Sequence, residues 1–195
     1  MARVIHPIEV ESYRILRERV DTAHLPPLTR AVAERIVHTT ADPGWAGELV
    51  AAEQALAEGR AALLAGAPLV ADVRMVAAAV TTRDCVVGLD LAGPVDGLTR
   101  SAAGLRAAAE RYPDGAVWAV GNAPTALAEL IRLAESGKVR PALVIGLPVG
   151  FVGSVAAKAA LRASGLPALS NLSERGGAAI AGAAINALLY AEEAA

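Results

Sequence analysis

The sequence has a single cysteine, Cys85, so no disulfide can close within the chain. Its three histidines are His6, His24 and His38, and none has a second histidine or cysteine three or four residues away. That spacing argues against a metal centre. The shortage of thiols and the lack of a Gly-x-Ser-x-Gly turn argue against a nucleophilic hydrolase. Aromatic residues make up only 3%, lysine and arginine nowhere gather into a run, and the formal charge is −2. The electrostatic footprint of a nucleic-acid binder is therefore missing. The longest weakly charged apolar stretch, residues 176–191, spans 16 residues and falls short of the roughly 20 that cross a bilayer. It reads as a buried terminal helix whose small residues suit close packing, inside the protein or across a dimer contact. Met1 to Pro7 lacks the apolar centre of a signal peptide, which with the lone cysteine points to a reducing cytoplasm.

What the sequence does contain is small and apolar: hydrophobic residues reach 54%, and 46 alanines supply much of that share. A length of 195 residues suits one generous domain spanning 1–195, and no linker or repeat divides it. Ile8, Ile15, Leu16 and Val20 recur at helical spacing, as do Leu28, Val32, Ile36 and Val37 behind Pro26-Pro27. Two amphipathic helices therefore open the chain, and a third is expected from about Trp45 to Ala65. Short β-prone runs follow at 69–71, 85–89, 116–120, 142–145 and 166–169. Helical stretches at 100–112, 124–136, 152–164 and 177–190 alternate with the later runs, and a short turn at 73–80 links the first two. Continuous apolar strands alternating with helices predict a three-layer α/β/α fold around a mostly parallel sheet of about five strands. In such sheets ligands gather beyond the carboxyl ends of the strands, where Asp72, Asp90, Gly121 and Gly146 fall.

Two stretches stand out at that edge. Gly121-Asn122-Ala123-Pro124-Thr125-Ala126-Leu127 and Gly146-Leu147-Pro148-Val149-Gly150-Phe151-Val152-Gly153 each follow a strand and open an Ala-rich helix. Such turns let a backbone or ligand come close, and the helix start offers N–H groups to an anion. The second lacks the Gly-Lys-Ser/Thr ending of a phosphate loop, and its glycines are spaced GxxxGxxG. A tight helix-to-sheet turn and an anionic ligand on the helix start remain open readings, with a nucleotide the weakest. His38 ends the second helix, where the negative end of the helix dipole favours imidazolium, and Asp42 adds to this if the chain turns back toward the ring. Arg83 and Arg100 lie next to the expected ligand edge, either as carboxylate clamps or as solvated helix-end arginines.

These two glycine stretches resemble the signatures of precorrin-8X methylmutases, isomerases of the cobalamin pathway. Pro7-Ile8-Glu9, Ser12-Tyr13-x-Ile15, Val37-His38, Gly66-Ala67-Pro68, Asp72-x-x-Met75-Val76, Arg100-Ser101-Ala102 and Arg175-Gly176-Gly177 belong to the same pattern, from about residue 7 to 190. Ala178 departs from it, standing where a serine is expected. The resemblance implies migration of a methyl group from ring carbon 11 to ring carbon 12 of a precorrin or cobalt-precorrin, with no cofactor and no metal bound by the protein. It assigns His38 to the catalytic position. It offers Arg83 and Arg100, and more weakly Ser12 and Thr81, as substrate contacts, and implies a homodimer that holds its tetrapyrrole product tightly. Two other readings compete: a non-catalytic tetrapyrrole carrier and a nucleotide-using α/β enzyme.

Overall fold

A computed structural model describes residues 6–191. Met1 to Ile5, most of the Met1 to Pro7 stretch weighed above as a signal peptide, and the last four residues lie outside the described residues. The elements run α1 (Pro7–Arg19), α2 (Pro27–Thr40), β1 (Leu49–Ala51), α3 (Glu53–Leu64), β2 (Leu69–Ala71), α4 (Arg74–Ala79), β3 (Val86–Val87), α5 (Arg100–Arg111), β4 (Val117–Val120), α6 (Pro124–Glu135), β5 (Leu143–Gly146), α7 (Ser154–Ala163), β6 (Ala168–Asn171) and α8 (Ala178–Tyr190). The six strands form one sheet in the order β1-β6-β5-β4-β2-β3, parallel except for the antiparallel edge strand β1.

Strand alternation explains the three layers. On one face Leu69, Ala71, Val117, Ala119, Leu143 and Ile145 pack beneath α2, α3 and α8. On the other, Val70, Trp118, Val120 and Val144 meet α5, α6 and α7. With both faces covered, every position of β2, β4 and β5 is buried, so those strands read as unbroken apolar runs. The small residues of α8 are used within the chain: a Cβ on Gly182 would lie 2.4 Å from Ala79 Cβ of α4. Among the described residues no helix is long and apolar enough to cross a membrane.

Three expectations need correction. The helix expected from Trp45 to Ala65 is a 3-10 turn at Pro43–Gly47, then β1, then α3. Pro43, Gly44 and Gly47 interrupt any α-helical start, and Leu49-Val50-Ala51 pairs instead with the free edge of β6, Leu49 opposite Asn171. The sheet thus has six strands. The turn at 73–80 is a short helix, α4. The last strand begins at Ala168, because Pro167 has no N–H for the ladder and contributes only its carbonyl, to Val144 N at 2.8 Å.

Candidate active site at the carboxyl edge of the sheet

β2 is flanked by β3 on one side and β4 on the other, so the chain changes winding direction at β2 and opens a crevice beyond the carboxyl ends of β2 and β4. Asp72 follows β2 directly and occupies this point. Its carboxylate accepts from Gly121 N at 3.2 Å and from Asn122 N and Ala123 N at 2.9 Å each. α6 has no side-chain cap, and Asp72, from the neighbouring strand, instead anchors the three residues that lead into it. Burial pushes the Asp72 carboxyl above its usual value, against the opposing pull of the backbone N–H groups. The N–H groups of the first glycine stretch that precede α6 are therefore taken from within the chain.

The second stretch is open. Gly146 lets β5 pass close to α7, since a Cβ there would lie 2.4 Å from Leu161 Cδ2. Ser154 donates to Pro148 O at 2.6 Å, and Gly153 (φ 78°) turns the chain into α7. Between them Phe151 and Val152 stand 97% and 90% exposed, large apolar groups offered to solvent beside the sheet edge. The loop after β6 supports this one: Gly150 N donates to Glu174 O and Gly177 N to Leu147 O. Lys158 of α7 is fully buried and donates to Asn171 Oδ1 at 2.9 Å, to Arg175 O at 2.7 Å and to Ser173 O. Burial lowers its ammonium to a pKa of about 8.

α2 brings His38 to the same end of the molecule. Glu53, at the start of α3, caps the amino end of α2 by accepting from Leu28 N at 2.6 Å and Thr29 N at 3.0 Å. At the other end the helix closes at Thr40, with His38 in its last turn. α1 lies across α2, held by the Arg35–Glu9 pair at 2.8 Å and by Arg17 on Glu34 at 2.7 Å. Burial opposes ionisation of Glu34, yet hydrogen bonds from Arg17, Thr22 and Arg30 together outweigh it and bring its pKa to about 2.

Between those two ion pairs Ser12 Oγ lies 2.7 Å from His38 Nδ1, and the Tyr13 ring stacks on the imidazole with centroids 5.1 Å apart at 15°. A cleft of about 100 Å³ lined by Ser12, His38, Ala41 and Pro43 opens beside them. Asp42 does not take up the role expected of it. Its Oδ1 accepts from Gly44 N at 2.9 Å and its Oδ2 is paired with Arg175.

The other sequence candidates are spread more widely. Arg100 is exposed at the first turn of α5, at the carboxyl edge. Arg83 donates to Leu63 O and Ala67 O, both at 2.7 Å, and so caps α3 at the amino end of the sheet. Thr81 donates its N–H to Asn186 Oδ1 at 3.1 Å and shares a 2.8 Å contact with the Tyr190 hydroxyl. Of the candidates, the structure brings together only Ser12 and His38. Tyr13, Lys158 and Arg175 were not among the candidates read from the sequence, whereas Asp72 lies at the carboxyl edge as expected. The scarcity of aromatics, with Tyr13 next to Ser12 on one helix, was the available signal for the first.

Fold and site together define an α/β protein that presents one hydrogen-bonded imidazole beside a glycine-rich, partly apolar sheet edge. The model of the family "CbiC: Precorrin-8X methylmutase" matches residues 7–191. The cobalt-precorrin-8 methylmutase of Methanocaldococcus jannaschii is 37% identical over 163 residues, covering 81% of this chain and 77% of that one. The precorrin-8X methylmutase of Pseudomonas aeruginosa is 35% identical and covers 94% of each. The crystal structure of precorrin-8X methyl mutase from Thermus thermophilus superposes with a TM-score of 0.85 at 34% identity, over 93% of both chains. The chain belongs to the precorrin-8X methylmutase family, and its activity is that of a methylmutase of corrin biosynthesis, an intramolecular transferase.

Proposed function

We propose that the chain, acting as one domain, moves a methyl group from ring carbon 11 to ring carbon 12 of precorrin-8X or of cobalt-precorrin-8, the substrates for which its relatives are named. The products are hydrogenobyrinate and cobyrinate respectively. His38 is the acid of this reaction. A 1,5-sigmatropic shift is intramolecular: the bond to carbon 11 breaks as the bond to carbon 12 forms, and the ring double bonds move with it. It demands a rigid site and a proton donor that biases the conjugated ring. Imidazolium gives its Nε2 proton to a pyrrolic nitrogen or ring carbon and takes one back from the rearranged tautomer, so no proton is gained or lost overall.

The observation carrying this reading is the 2.7 Å contact between Ser12 Oγ and His38 Nδ1. With Ser12 accepting from Nδ1–H, that nitrogen keeps its proton and Nε2 is the one that cycles. Tyr13, stacked on the ring, fixes its plane. Arg100 faces solvent at the carboxyl edge and suits an acetate or propionate arm of the macrocycle. Arg83 and Thr81 act more remotely, since their polar groups already hold α3 and α8. A cleft of about 100 Å³ encloses far less than a tetrapyrrole, so a homodimer whose second copy closes over the macrocycle is part of the proposal, set in the cytoplasm.

Incubating the protein with precorrin-8X, metal-free and cobalt-loaded, should change the visible spectrum at constant mass. His38→Ala should lose turnover by at least about 100-fold while still binding the tetrapyrrole. Near-normal turnover in the variant would overturn the assignment. Sedimentation at micromolar concentration should give twice the chain mass, and a monomeric mass would remove the dimer from the proposal.

A further inference from the structure

The residue that joins the two halves of the site is Arg175. Its carbonyl is held by Lys158 Nζ at 2.7 Å and by Asn171 Nδ2 at 3.0 Å, so its backbone is fixed to the sheet edge. Its guanidinium leaves that loop and grips the segment following α2. Nη1 donates to Glu48 Oε1 at 3.0 Å, Nη2 pairs with the Asp42 carboxylate, and the guanidinium carbon lies 4.5 Å from the centroid of the buried Trp45 ring. Ser173 of the same loop donates to Glu48 Oε2 at 2.5 Å.

What is gripped has a conformational preference to overcome. Ala41 closes α2 at φ 53°, the only described non-glycine residue with positive φ, in a region that disfavours an L side chain by roughly 1 kcal/mol. Ala41 and Pro43, on either side of Asp42, line the His38 cleft. The left-handed turn that ends α2 three residues beyond His38 is thus held from outside, by a guanidinium that bridges two carboxylates over an aromatic ring.

We infer that Arg175 is a positioning residue: by clamping Asp42 and Glu48 it fixes the last turn of α2, and with it the placing of His38 against Ser12 and against the glycine-lined loops. This rests on the reading of His38 as the acid. Without the clamp Ala41 relaxes, the final turn of α2 frays, and the imidazole loses its fixed relation to Ser12. Displacements on this scale cost turnover more than affinity.

The test uses the full chain. In the free protein, the ring-nitrogen NMR signals of His38 should report one tautomer in the wild type and a shifted, averaged pattern in Arg175→Ala. With precorrin-8X the same variant should lose about 10- to 100-fold in kcat with KM changed by less than about threefold, and Arg175→Lys should recover part of the loss by keeping one carboxylate contact. Asp42→Asn, which keeps the side-chain volume, should reproduce the effect and decides the matter if Arg175→Ala does not fold. Unchanged His38 signals and kcat in a folded variant would overturn the inference, as would a rise in KM alone. The NMR measurement needs no turnover, so the two ideas fail separately. An active His38→Ala with moved signals in Arg175→Ala sinks only the acid assignment, whereas an inactive His38→Ala with unmoved signals sinks only the clamp.

Discussion

The two glycine turns look alike in sequence and end in opposite conditions. After β4, Gly121, Asn122 and Ala123 present three N–H groups, and the Asp72 carboxylate takes all of them. After β5, the turn into α7 has no side-chain cap, and Phe151 and Val152 project into solvent. Parallel pairing brings about the first outcome. β2 and β4 are neighbours with Ala71 opposite Ala119, so the residue following β2 lies beside the turn that follows β4. The corresponding neighbour of β5 is β6, with Gly146 opposite Ser170. Ser170 donates to Gly146 O, and the residues beyond it turn to Lys158 and Glu48. One turn is a joint within the fold and the other leaves two large apolar side chains exposed.

Breaking the joint should have the larger effect on stability. Asp72→Ala leaves three partly or wholly buried N–H groups without their acceptor, and a loss of about 3 kcal/mol is expected, read as a lower denaturation midpoint. Asp72→Asn should fall between that variant and the wild type, because its amide can accept at one oxygen only. If Asp72→Ala unfolds at the wild-type midpoint, the carboxylate is not the anchor of that turn.

The open turn should respond in the reverse manner. Phe151→Ser should change stability by no more than about 0.5 kcal/mol, because the ring is nearly all exposed. It should raise KM for precorrin-8X by about tenfold, the order expected when an apolar ring that a ligand or second copy would cover is lost. Equal KM values would show that nothing covers the ring during turnover, and the contrast between the turns would then be one of packing alone.

Much of this architecture was legible in the sequence because it depends on period and on breakers. The alternation of apolar runs with helices, the terminal α8 and the boundary glycines follow from spacing alone. β1 was not legible: Leu49-Val50-Ala51 is three residues inside an apolar, alanine-rich stretch, and only the free edge of β6 makes it a strand. At the site, His38 was found by its helix end, and Ser12 and its assignment came from resemblance. The direction of Asp42 depended on a partner 133 residues away, which no local pattern encodes. The arginines were hard for the same reason, since a long side chain at a plausible edge, such as Arg83, can as well turn back to cap a helix.

Lys158 has a consequence for binding. One of its hydrogens goes to the side chain of Asn171 at the end of β6 and two go to carbonyls of the loop between β6 and α8, much as a small cation bound by oxygen ligands would hold it. The chain therefore carries its own staple under the carboxyl edge of the sheet, and that loop is set when the protein folds. On the proposed function, a macrocycle bound there would meet a surface already in shape, so the ordering entropy would not be drawn from its binding energy and more of that energy would remain for aligning the migrating methyl group.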